Sequence, residues 1–182
     1  ILLAAGKSKR FGSDKLFRTF YGKPVIFHSL KFLDQSPHVD EIIIAASTSN
    51  KKKITRLARE AHFKKVKKII IGGKTRFESL KKAIQTIHDH PLPSTTIRHL
   101  IIHNAANPHA TQKELFQCIN TLKRTHVSGV AAGHPITSTI KQISTDRTVH
   151  HTLERVALWE IETPQVVRAE KAAVRSGHRR GL

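Results

Sequence analysis

Cysteine, tryptophan, tyrosine and acidic residues are scarce in this chain, and methionine is absent. A single cysteine, Cys118, excludes an intramolecular disulfide framework. It shares a helix-spaced face with Leu115, Ile119 and Leu122, which predicts a buried core thiol rather than a nucleophile. One Trp and one Tyr leave few platforms on which nucleic-acid bases could stack. No apolar run approaches membrane-spanning length, so no membrane partner is expected. No signal-peptide pattern is present, and cytoplasmic residence is the default expectation. Thirteen histidines are scattered without an H-E-x-x-H or Cys/His cluster, which excludes the common zinc signatures.

Charge of one sign dominates instead. Asp and Glu number 13 against 32 Lys and Arg, a net charge of +19. A balance that basic raises the question of nucleic acid. The lysines are spread over surface-like positions, densest at Lys51–Lys53 and Lys64–Lys68, and are not interleaved with aromatics. Solvated helix faces explain most of them, and any nucleic-acid affinity is expected to be nonspecific.

The most informative stretch is the first fifteen residues. An apolar run, Ile1-Leu2-Leu3, enters the small-residue turn Ala4-Ala5-Gly6, and Lys7, Lys9, Arg10 and Lys15 follow. An apolar strand opening into a glycine-containing cationic loop is a way for α/β proteins to hold a polyphosphate. Glycine lets the backbone N–H groups approach, and the cations offset phosphate charge. Two better-known phosphate motifs are excluded. A P-loop needs a glycine where Ile1 stands, and a dinucleotide fingerprint needs three glycines where only Gly6 and Gly12 occur.

Strand and helix patterns then alternate. Residues 41–46, 68–71 and 99–103 read as buried parallel strands, being short, branched and nearly all apolar. Residues 24–35, 50–62, 76–88 and 111–124 read as helices, the last with Thr111 as N-cap and Glu114 three residues on. The repetition predicts one α/β domain over 1–182, a doubly wound, mostly parallel Rossmann-like sheet. Ligands of such sheets bind beyond the carboxyl ends of the strands. Loops there begin at Gly72-Gly73, with Thr75 a candidate helix cap, and at His103-Asn104. Residues 128–165 break the alternation, and a β-arm at about 140–157 would leave and rejoin the sheet. An arm buries little by itself, so pairing with a second subunit is expected.

These loops together resemble the 2-C-methyl-D-erythritol 4-phosphate cytidylyltransferase family over nearly the whole chain. The family pattern runs A-A-G-x-G-x-R-M/F-G, P-K, G-G-x-x-R-x-x-S, H-D-A-A-R-P, T-D-T-I/M-K and R-x-x-L-W-x-x-x-T-P-Q. This chain has Ala4 to Gly12, Lys15, Gly72 to Ser79, His103 to Pro108, Thr137 to Lys141 and Arg155 to Gln165. The resemblance implies a nucleotidyltransferase in which a polyol phosphate attacks the α-phosphate of CTP and pyrophosphate leaves. It implies Arg10 and Lys15 as catalytic cations and Mg²⁺ on the triphosphate. It places Ala4, Ala5, Gly6, Gly73, Arg76, Ser79 and Ala105 around the nucleotide. It places Asn107, Thr139, Arg155 and Thr163 at the acceptor phosphate, with Asn104 as a weak metal ligand. It also implies a homodimer in which Arg155 reaches the neighbouring subunit's site.

Departures from the pattern fall on function. Ser8 replaces a loop glycine, and Lys15 follows Arg10 two residues early, a spacing closer to that of molybdenum-cofactor nucleotidyltransferases. Asn104 and Asn107 replace an aspartate and an arginine, and Ser138 replaces the aspartate of T-D-T. The family continues with a T-D-x-A/S helix and a K-x-T strand, for which residues up to Leu182 have no counterpart, so a lacking C-terminal segment is expected. The alternatives are a cytidylyltransferase for another polyol phosphate, such as ribitol 5-phosphate, or a non-catalytic nucleotide-binding remnant.

Overall fold

The computed structural model describes residues 1–6, 14–89 and 97–171. In chain order the elements are β1 (Leu2–Ala4), β2 (Thr19–Phe20), β3 (Lys23–Pro24), α1 (Val25–Asp34), β4 (Ile42–Ala46), α2 (Thr48–Glu60) and β5 (Val66–Ile71). They continue with α3 (Arg76–Asp89), β6 (His99–Asn104), α4 (Gln112–Arg124), β7 (Gly129–Pro135), β8 (Lys141–Ile143), β9 (Val149–Thr152) and β10 (Trp159–Arg168).

Six strands form one sheet in the order β5-β4-β1-β6-β10-β7. The pairs β5–β4, β4–β1 and β1–β6 are parallel, and β10 runs antiparallel between β6 and β7. The expected doubly wound, mostly parallel α/β fold is what forms. Strand residues alternate between two packed faces, as the pleat requires. Leu2, Ala4, Ile42 and Ile44 pack with Ile26, Leu30, Ile54, Leu115 and Leu122 from α1, α2 and α4. Leu3, Ala45 and Ile102 face the other way, against Ile70, Leu80 and Val167.

Local signals account for the element ends. Thr111 and Glu114 close a reciprocal capping box at the start of α4. Ser47 caps α2 through Asn50 N, at 3.2 Å. Cys118 is buried, as expected, and burial pushes its thiol above the ordinary thiol range. One strand differs from expectation. β5 lies at the sheet edge and is only half-buried, because Lys67 and Lys68 interrupt its apolar run. Lysines on an edge strand oppose pairing with foreign strands.

The stretch expected as an arm is a separate two-stranded ribbon, β8 paired antiparallel with β9. Every residue in these two strands is exposed. Beside them Val156, Trp159 and Ile161 are also exposed, Val156 at 92%. Among the described residues no helix is long and apolar enough to cross a membrane.

Candidate active site

The carboxyl ends of the parallel strands converge on a cleft of about 690 Å³. It is lined by Ala4, Ala5 and Gly6 after β1, by Gly73 to Arg76 and Ser79 after β5, and by Asn104 and Ala106 after β6. Position in the sheet thus brings together three loops separated by about 70 and 30 residues of sequence. A second cavity, of about 440 Å³, lies at the opposite end of the sheet, by Ile1, Ile42 and His99.

The opening loop is anchored at both ends. Leu3 O accepts from Ala105 N at 3.0 Å. Downstream, Asp14 caps a single 3₁₀ turn, Lys15–Phe17, accepting from Leu16 N at 3.3 Å. Leu16 is buried in the main core and also lines the cleft. This turn fixes the backbone of Lys15. Arg10 lies outside the described residues.

The Gly72-Gly73 loop is built tightly. Gly72 N donates to Ala46 O at 2.8 Å, extending the sheet by one step. A Cβ on Gly72 would stand 2.6 Å from Ala5 Cβ and 2.7 Å from Ser79 Oγ, while one on Gly73 would collide with Glu78 Cβ. Glycine is needed here for close approach. Thr75 caps α3 through Glu78 N at 3.0 Å, as its position predicted. Ser79 is buried, and its hydroxyl accepts from Gly73 N at 3.0 Å and donates to Thr75 O at 2.9 Å. Ser79 therefore buttresses the loop as well as lining the cleft. Arg76 is exposed and bridges two neighbouring elements, donating to Asn104 Oδ1 at 3.4 Å and to Gln165 Oε1 at 3.3 Å.

The third loop is held from beneath. Ala105 is fully buried, and it is Ala106 that lines the cleft. Ser29 on α1, fully buried, donates to both Ala105 O and Asn107 O, each at 3.1 Å. A serine on the helix face of Ile26, Leu30 and Leu33 was the available signal for this anchor. His103 is fully buried and its Nε2 meets Asn107 O at 3.1 Å. A carbonyl can only accept, so a hydrogen sits on Nε2, and burial favours the neutral ring. Its Nδ1 is buried without a hydrogen-bond partner.

Burial lowers the His103 pKa from its ordinary 6.5 to about 4. The unfolded chain then binds the proton first as pH falls from 6.5 towards 4. Stability from the neutral ring is complete above that window and lost through it, by at most about 3 kcal/mol. The urea midpoint should drop between pH 7 and pH 5, and more steeply than in His103→Gln. A flat midpoint would contradict a buried neutral imidazole.

The expected acceptor residues fall into two groups. Asn107 and Thr163 meet where the third loop packs on β10: Asn107 Nδ2 donates to Thr163 O at 3.1 Å and to Glu162 Oε2 at 3.2 Å. Thr163 is buried, and its Oγ1 accepts from Asn104 N at 3.3 Å. Thr139 and Arg155 sit on the arm side instead, and none of the four is among the residues that line the cleft. Thr139 is exposed between β7 and β8, and Arg155 donates to Thr137 O at 2.8 Å. Sequence reasoning passed over Ser29, Glu162 and Gln165 as site residues.

Asn104 was the expected metal contact. Its Oδ1 accepts from Arg76 Nε at 3.4 Å, so a guanidinium already stands beside the oxygen that a cation would use. Among the described residues no group of three His, Cys, Asp or Glu side chains could hold a metal.

An α/β sheet with a small-residue, glycine-built cleft at the carboxyl ends of its strands is the arrangement of nucleotide-binding proteins. Comparison with known proteins narrows this further. The family model for 2-C-methyl-D-erythritol 4-phosphate cytidylyltransferase matches residues 1–182, and the chain belongs to that family. A relative of that name from Lachnospira eligens is 36% identical over 172 residues, covering 93% of this chain and 72% of its own. One from Dehalococcoides mccartyi is 33% identical over 171 residues, covering 93% and 71%. The solved structure of 4-diphosphocytidyl-2C-methyl-D-erythritol synthase from Anaerococcus prevotii superposes with a TM-score of 0.74. It is 21% identical, and the match covers 93% of this chain and 70% of that one.

Proposed function

We propose that this chain transfers a cytidylyl group from CTP to 2-C-methyl-D-erythritol 4-phosphate and releases pyrophosphate. The observation that carries the reading is the convergence of Ala4–Gly6, Gly73, Arg76 and Asn104 on one cleft, in a chain of this family. An oxygen of the acceptor phosphate attacks the α-phosphorus of CTP. One P–O bond forms while the bond to the β-phosphate oxygen breaks, so no protein nucleophile is required. The work left to the protein is positioning and neutralising the charge that builds on the phosphate. Lys15 and Arg10 are assigned that charge. Ala4–Gly6, Gly73, Arg76 and Ser79 frame the nucleotide, with Ala105 behind them. Thr139, Arg155 and Thr163 are assigned to the acceptor, and Asn107 to its rim, where Glu162 and Thr163 take both of its amide hydrogens.

Magnesium belongs to this reading as a companion of CTP, where it would supply positive charge to the triphosphate. The exposed ribbon and its apolar neighbours support a homodimer through the arm. Cytoplasmic residence is proposed on the same footing, from the nature of the substrates.

Two tests follow. Competition binding with CTP, UTP, ATP and GTP should rank CTP first, because Gly72–Ser79 matches the G-G-x-x-R-x-x-S loop of a cytidylyltransferase family. Equal affinities would mean generic polyphosphate binding. Pyrophosphate release measured with a panel of polyol phosphates should be fastest with methylerythritol phosphate. A higher kcat/KM for ribitol 5-phosphate would reassign the acceptor.

A further inference from the structure

Glu162 stands next to Thr163, and its carboxylate reaches from β10 to the loop after β6. Its Oε2 accepts from Asn107 Nδ2 at 3.2 Å. The second hydrogen of that amide goes to Thr163 O at 3.1 Å, and Asn107 Oδ1 accepts from His109 N at 3.3 Å. Both amide hydrogens of Asn107 are thus used inside the protein. The Glu162 carboxylate stays open to solvent, its side chain 44% exposed. Its Oε1 lies 4.0 Å from His134 Nδ1, and His134 Nε2 lies 3.5 Å from Glu160 Oε2. Two carboxylates and one imidazole therefore line the β7–β10 rim.

We infer that Glu162 is a specificity-determining residue of the acceptor site, a fixed negative charge that weakens the hold on phosphate and disfavours the more highly charged acceptors. The inference rests on the acceptor position proposed above. Specificity often comes from a repulsive group set against the wrong ligand, and a carboxylate beside a phosphate is one. At a separation of several ångströms near the surface the repulsion is moderate, so the site is detuned rather than closed. Asn107 acts through Glu162 as a positioning residue: its amide holds the carboxylate in place.

Calorimetric titration of the full chain with methylerythritol phosphate tests this. Glu162→Gln keeps an oxygen for the Asn107 amide and removes the charge. It should bind the phosphate about fivefold to tenfold more tightly than the parent chain, whereas Glu162→Asp should not. The dephosphorylated tetrol should show no such gain, and CTP affinity should not move with either variant. Unchanged or weaker phosphate binding by Glu162→Gln would overturn the inference, as would equal gains for phosphate and neutral tetrol. Should the acceptor assignment be wrong, methylerythritol phosphate binds none of the three chains. Inorganic phosphate, titrated in parallel, then carries the comparison: a gain for Glu162→Gln supports the inference, and equal affinities overturn it.

Discussion

Lys15→Ala should lower kcat by about 10²–10³ at saturating substrates, while CTP affinity falls far less. The residue enters the site through a short chain of causes. β1 delivers the chain to the cleft, Leu16 anchors the following turn in the core, and Asp14 caps that turn. On the proposed reading, the lysine at its first position supplies charge for the phosphates before substrate arrives. Charge built in advance costs no reorganisation when the pentacoordinate phosphorus gains negative charge, so its loss falls on turnover. Arg10→Ala should behave alike, on the strength of its place in the same cationic loop. Steady-state pyrophosphate release read beside CTP competition separates the two effects. Either variant turning over at the parental rate would remove it from the catalytic assignment.

The second large effect concerns two chains. Arg155→Ala and Arg10→Ala should each be nearly inactive alone, and mixing them should restore about a quarter of parental activity when chains assort at random. A two-stranded ribbon is marginal in isolation, and this one leaves Ile143 and Val149 58% and 60% exposed. A second copy of the arm would cover them and bring Arg155 to the neighbouring cleft. Within its own chain, Arg155 is held at Thr137 and does not line the cleft. In a mixed dimer one site carries neither lesion and the other carries both. No activity above that of the single variants, or a monomer at assay concentration, would place Arg155 in its own subunit's chemistry.

Much of this arrangement was legible in the sequence, for physical reasons. The short apolar runs at 41–46 and 99–103 read as strands, and Thr111 with Glu114 read as the start of a helix. Glycine pairs and small residues at strand ends marked the cleft. Strand order was not legible, because periodicity reports which face is buried and not which neighbour is adjacent. That is why β5 read as a buried strand although it is a half-buried edge. The short β2–β3 hairpin also escaped notice. Its turn places Tyr21 at φ 44 and Gly22 at φ 73, an arrangement that only Gly22 announces. The Asn107–Glu162 contact joins residues 55 positions apart, and no local pattern encodes such a meeting.

The central claim is transfer of CMP between two bound phosphates. A ³¹P spectrum of CTP and 2-C-methyl-D-erythritol 4-phosphate incubated with the protein and Mg²⁺ tests it most directly. The account predicts free pyrophosphate and a new pair of coupled diphosphate signals from the cytidylylated polyol, growing together one to one. Intact CTP and acceptor at long incubation, or pyrophosphate accompanied by free CMP and no diphosphate ester, would contradict it.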